Sequence, residues 1–138
     1  MGSPASNIGG GECFAMPDVC NTPTPAGPVP IPYPNIAMLA QTVLPTAAMT
    51  VMIGGLNAVV ETTEIMMSSG DDAGVAGGVV SGMFIGPAQV TLGSVTVLMA
   101  GRGAAYLGSI TAHNGEGDAN MPVGAQIAPS QVNVLVAP

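Results

Sequence analysis

The chain is expected to be all-β, with at most one short helix, and three observations support this. A run of prolines from residue 13 to residue 35 (CFAMPDVCNTPTPAGPVPIPYPN) excludes helix over that stretch. From Thr50 onward, short runs of Val, Ile, Thr and Leu alternate with glycine turns. A strand–turn–strand pattern also recurs along the chain.

The elements follow in order. Residues 1–12 (MGSPASNIGGGE) read as a flexible lead, and residues 13–138 as one domain. Proline lacks a backbone donor, so residues 13–35 should be extended or polyproline-like, and not a central strand. Ile31, Tyr33 and Ile36 can still pack on a core. Residues 36–49 leave a short helix or a loop open, because Ala, Met and Leu favour helix and Pro45 breaks it. Strands are expected at Thr50–Ile53, Ala58–Val60, Val79–Ile85, Gln89–Leu92 and Val95–Met99. Ser68–Gly74 is a polar, glycine-containing loop. Thr50–Ala58 (TVMIGGLNA) aligns with Thr96–Ala104 (TVLMAGRGA) at an offset of 46, and Ser130–Val136 is a weaker echo. Three such units suggest a pseudo-symmetric fold in which each unit buries its face against the next.

Composition excludes several functions. The chain has 138 residues with one Arg, no Lys and eight acids, giving a net charge of −7. Nucleic-acid binding and a polybasic membrane patch both require clustered cations, so neither is expected. The low charge and the 48% apolar content suggest a surface partly covered by a partner. The N-terminal residues carry no basic or apolar signal region, so synthesis in the cytoplasm without export by the general route is expected. The uncharged stretch Val19–Val60 is too broken by proline and glycine for a membrane helix.

Catalysis is not expected. A Ser or Cys nucleophile needs a base, and His113 is the single histidine, with no flanking motif around it. Asp71-Asp72 reads most simply as a solvated turn. The soft metal ligands available are Cys13, Cys20 and His113. Cys13 reads first as a small buried hydrophobe, and His113 equally as a turn residue capping a carbonyl.

Pro17-Asp18-Val19-Cys20-Asn21-Thr22-Pro23, followed by Pro30-Ile31-Pro32-Tyr33-Pro34-Asn35-Ile36-Ala37, resembles the opening signature of PAAR-like domains. Gly78–Gly82 and Thr111–Asn114 are similar to further strings of that family. Val97–Ala105 is similar to the segment from which it takes its name. The likeness runs from residue 13 to residue 136. It implies a short cone-like β-prism that caps a trimeric β-helical spike protein, three spike chains to one tip. Such a tip sharpens the spike of a bacterial contractile injection or type VI secretion system. It meets the target membrane transiently and can carry effector cargo non-covalently. In relatives a metal at the apex is held by several His and Cys; here one His is present. The resemblance therefore implies that Cys20 and His113 lie close, with Cys13 or Asp18 completing a site for one structural zinc or iron ion, or that the apex is held by packing alone. Arg102 is expected to contact the partner or one of the acids. The alternative function is a freestanding scaffold or metal-binding β-protein without a spike partner.

Overall fold

The computed structural model describes residues 2–115 and 119–137. The strands are β1 (Ser3–Pro4), β2 (Glu12–Thr22), β3 (Val29–Met38), β4 (Ala48–Ile53), β5 (Leu56–Ala58), β6 (Glu64–Ile65) and β7 (Ser68–Ser69), followed by β8 (Ala88–Leu92), β9 (Leu98–Met99), β10 (Arg102–Gly103), β11 (Ile110–His113), β12 (Met121–Ala128) and β13 (Leu135–Val136). Two single-turn 3-10 helices, Leu39–Gln41 and Leu44–Thr46, occupy the segment that composition left open. The fold is all-β, as expected.

Seven strands form one antiparallel sheet in the order β6-β8-β11-β12-β2-β3-β7. Its end strands, β6 and β7, are separated in sequence only by Met66-Met67, so the sheet wraps round almost onto itself. Near closure covers part of the sheet's edges, while the far half of β3, beyond its pairing with β7, keeps one side open. Inside it, Cys13, Ala37, Leu39, Val59, Ile65, Ala88, Val90 and Ala105 form an apolar core.

Three small antiparallel pairs make the base: β4–β5, β9–β10 and β1–β13. The first two are the repeat seen in the sequence. Both turn on two residues with positive φ, Gly54-Gly55 (61° and 84°) and Ala100-Gly101 (55° and 79°), the backbone that a two-residue hairpin requires. The terminal strands build the third pair. Single bridges join the three in a ring: Val60 with Ala104, Ala5 with Tyr106, and Asn7 with Ala58. A second apolar core lies within this ring, with Ala48, Ile53, Ala58 and Val60 from the first unit, Ala104 from the second, and Ala5 and Val136 from the third.

Strand bounds shift at three places, since β9 keeps only Leu98–Met99 of Val95–Met99, β5 ends at Ala58, and Ser68–Ser69 of the expected loop is β7; three further segments differ more. The lead, read as flexible, is built into the base: Ser3–Pro4 is β1, and Ala5, Ser6 and Asn7 are buried. The proline-rich run forms two full strands, and β2 lies inside the sheet between β12 and β3. It accommodates Pro17 because the β2–β3 register shifts between Ala15 and Asp18, which removes the ladder bond that proline cannot make. Val79–Ile85, expected as a strand, is a loop. Gly77, Gly82 and Ile85 hold positive φ there (95°, 73° and 53°), which extended backbone cannot adopt.

Ile65 is fully buried in the central core, whereas Val123 on β12 is 63% exposed. Ile65→Ala should lower unfolding stability by about 3 kcal/mol through lost burial and a residual cavity. Val123→Ala should change it by less than about 0.5 kcal/mol. Chemical denaturation of both variants measures this, and equal losses would contradict the assignment of the core.

Candidate functional site: a buried polar clasp

β2 leads away from the base, and at about 3.3 Å per residue its far half lies roughly 20 Å beyond Glu12. There the interior changes character. Asp18, Asn35, Asp71, Thr111, His113, Asn114 and Asn120 are all buried. The alternation of β2 turns Asp18 and Cys20 to the same side, inward.

Asp18 is the hub. Its Oδ2 accepts from Asn35 Nδ2 on β3 at 3.0 Å. Its Oδ1 accepts from Asn114 Nδ2 at 3.0 Å, from Asn120 Nδ2, and from the Cys20 thiol at 3.5 Å. Asp71 supplies a further hydrogen bond. Burial opposes the Asp18 charge, but the hydrogen bonds from Asp71, Asn120, Asn114 and Cys20 outweigh it and hold the carboxyl below its ordinary range. Burial works the other way on Asp71: with the hydrogen bond to Asp18 and the nearby Asp18 charge, it pushes that carboxyl up to about 7. Of the two acids, Asp71 is therefore the one that holds its proton longer as pH rises.

The same side chains fasten the loops. Asp71 Oδ1 accepts from the Ile85 amide at 3.0 Å. Asn114 accepts from the Gly86 amide at 3.0 Å and donates to the Met83 carbonyl at 2.8 Å. Asn120 accepts from the Val80 amide at 2.9 Å and donates to the Val19 carbonyl at 2.8 Å. Gly78 packs so tightly against Asn120 that no Cβ would fit, and Gly74 does the same against Cys20.

His113 lies in the network with both ring nitrogens engaged. Asn35 Nδ2 donates to Asp18, so Asn35 Oδ1 faces His113 Nδ1 at 2.7 Å and must accept its proton; Nε2 then accepts from the Thr111 hydroxyl at 2.7 Å. Burial drives its pKa down to about 4 against a smaller upward pull from Asp18, so the ring is neutral. Cys20 and His113 are brought into one network, linked through Asp18 and Asn35. Burial pushes the Cys20 thiol up to about 12, helped by Asp18 and Asp71. Cys13 lies elsewhere, in the apolar core, with its thiol also pushed up to about 12 by burial. Arg102, expected to contact the partner or one of the acids, donates to the Thr46 and Ala47 carbonyls and the Thr62 hydroxyl, tying the second base unit to the first.

Asp18, Cys20 and Asp71 offer one ligand atom each within 4.8 Å of one another and could hold a metal ion. Their chemistry is only partly suited to one. The amide N–H groups of Asn35, Asn114 and Asn120 converge on Asp18, an arrangement that favours an anion and opposes a cation.

Sequence reasoning missed five members: Asn35, Asp71, Thr111, Asn114 and Asn120. Asp71-Asp72 looked like a solvated turn, yet Asp71 is buried and Asp72 exposed. Asn35 and Asn114 sat within the strings that carry the resemblance and were the available signal.

The fold is thus a nearly closed β domain, with a three-unit base and a polar clasp beyond the far half of β2. The family of the domain is shown: the chain belongs to the toxin PAAR-like domain family, whose model matches residues 11–122. No curated protein and no solved structure matches the chain significantly.

Two of the shifted groups, Asp71 and His113, oppose each other in acid. Asp71 is raised from 3.8 to about 7, so its contribution is complete below about pH 4 and is lost as pH rises to about 7. His113 is lowered from 6.5 to about 4, so its contribution is present above about pH 6.5 and is lost as pH falls to about 4. Between those limits the protein's melting temperature should change little. Asp71→Asn keeps a donor to Asp18 and leaves His113 unopposed. Its melting temperature should climb from pH 4.5 to 6.5 and exceed the parent's at pH 8. A variant curve parallel to the parent's would contradict the proton held by Asp71.

Proposed function

We propose that this protein is a non-enzymatic tip that caps a trimeric spike, three spike chains to one tip. The observation that carries the reading is the ring of three strand pairs at the base. Each pair bridges the other two, and each exposes apolar side chains: Met49, Met52 and Leu56 on the first, Val95 and Leu98 on or beside the second, and Val132, Val134 and Leu135 on or beside the third. Three similar units on one chain match a partner with threefold symmetry, one unit per protomer. An apolar face of this kind suits burial against the blunt end of a β-structure. In this reading the chain is made in the cytoplasm and assembled at the tip of a contractile injection or type VI secretion particle. It sharpens the spike for membrane puncture and effector delivery, with transient contact at the target membrane and cargo docked non-covalently.

The absence of catalysis is supported by the state of the clasp. Among the described residues no buried side-chain nitrogen or oxygen lacks a partner, the thiols are protonated and His113 is occupied on both sides. A structural zinc or iron ion would have to displace the protons on Cys20 and Asp71. We propose the proton-bearing form, with zinc or iron below about one-tenth equivalent in the purified protein.

Mixing the chain with a trimeric spike tests the function. A complex of three spike chains and one tip is expected. Met52→Glu, Leu98→Glu and Leu135→Glu should each weaken it at least about tenfold with little change in melting, as each side chain is exposed. A tip that stays monomeric beside the trimer at micromolar concentration would favour a freestanding scaffold.

A further inference from the structure

β3 is covered on one side by β2 along its whole length, but on the other β7 reaches it only at Ile36 and Ala37. Val29 to Tyr33 is therefore an outer edge. The direction of each backbone group follows from β2. Val79 N–H donates to the Val19 carbonyl at 3.0 Å, Asn21 N–H donates to the Gly77 carbonyl at 2.8 Å, and Ala76 N–H donates to the Asn21 carbonyl at 3.1 Å. Val19 and Asn21 thus point their backbone groups away from β3.

Antiparallel partners alternate between hydrogen-bonded and non-hydrogen-bonded pairs. Val19 faces Pro32 and Asn21 faces Pro30, so these are the non-hydrogen-bonded pairs. Cys20 with Ile31 and Asp18 with Tyr33 carry the ladder. Pro30 and Pro32 consequently turn their backbone outward, where an ordinary residue would present an N–H. Both are exposed. The open edge offers carbonyls and no donor. Beyond it, Gly70 closes over the Pro34 carbonyl.

We infer that the alternation Pro30-Ile31-Pro32 seals the β3 edge against strand addition, whether by a second copy of this chain or by an extended peptide. A docking strand needs donors and acceptors in alternation, and here it meets acceptors alone. Placement matters: proline at 31 or 33 would cut the β2–β3 ladder, and none is found there. Charge, the usual means of blunting an edge, is absent, since no ionisable acid or base of the charged set lies between Val19 and Val60. Val29 adds an exposed apolar side chain to the same edge, which makes the seal more necessary.

Light scattering over a range of concentrations tests this on the full chain. Pro30→Val with Pro32→Val restores both donors, Pro32→Ala restores one without added bulk, and Pro25→Val in the exposed turn is the control. Association through the apolar base is common to all four proteins and cancels in the comparison. The double variant should assemble at several-fold lower concentration than the parent, Pro32→Ala should shift in the same direction by less, and the control should match the parent. If Pro32→Ala keeps the parent's circular dichroism and the parent's mass at every concentration, the seal is refuted. That single variant decides the question where the double variant misfolds.

Discussion

The Asp18 carboxylate is buried in a chain with no lysine and one arginine, and that arginine is spent at the base. An isolated buried charge costs several kcal/mol or more, so it persists only where hydrogen bonds replace water. Here the replacement comes from Asn35, Asn114, Asn120, Cys20 and Asp71. These side chains come from both strands of the proline-rich arm, the end of β11, the segment before β12 and the loop after β7. Satisfying one anion thus sets the position of every segment at that end. The amides then use their remaining groups on loop backbone, at Val80, Met83 and Gly86. A loop with many glycines and few apolar anchors is ordered by polar contacts, where packing would do little.

The base is built by the opposite means. Small residues, chiefly Ala and Val, let three strand pairs approach closely, and their larger apolar neighbours point outward. Val and Leu supply most of that outward surface, and Met49 and Met52 on the first unit add flexible side chains that can adapt to a partner. One end is therefore closed upon itself, with its polar groups paired, and the other end is unfinished. This polarity is what the proposed place at the end of a larger assembly calls for.

Much of the fold was legible in the sequence because hairpin turns carry a local code. Gly54-Gly55 and Ala100-Gly101 mark equivalent turns, and the offset between them marks two of the three base units in the sequence itself. The third escaped full recognition because its strands are distant in sequence, Ser3 pairing with Val136. The proline-rich arm was misjudged for a related reason. Proline forbids a ladder bond, but it does not forbid a strand when the bond would face outward or fall at a bulge, and that depends on register. Val79–Ile85 has strand composition, yet the demand of Asn120 and Asp71 for its backbone amides overrides propensity. The clasp was half visible. Asp18, Cys20 and His113 stood out as ligand types, whereas the asparagines that define its chemistry are ordinary turn residues until the strands bring them together.

If one carboxylate organises the far end, its removal should loosen that end and spare the base. Amide hydrogen exchange on Asp18→Ala measures this most directly. Protection should fall by at least about tenfold at Val79, Val80, Ile85 and Gly86, whose amides bond within or beside the clasp, while Val59 and Ala105, which bond across the base ring, keep theirs. Unchanged protection throughout, or an equal loss at both ends, would contradict the account.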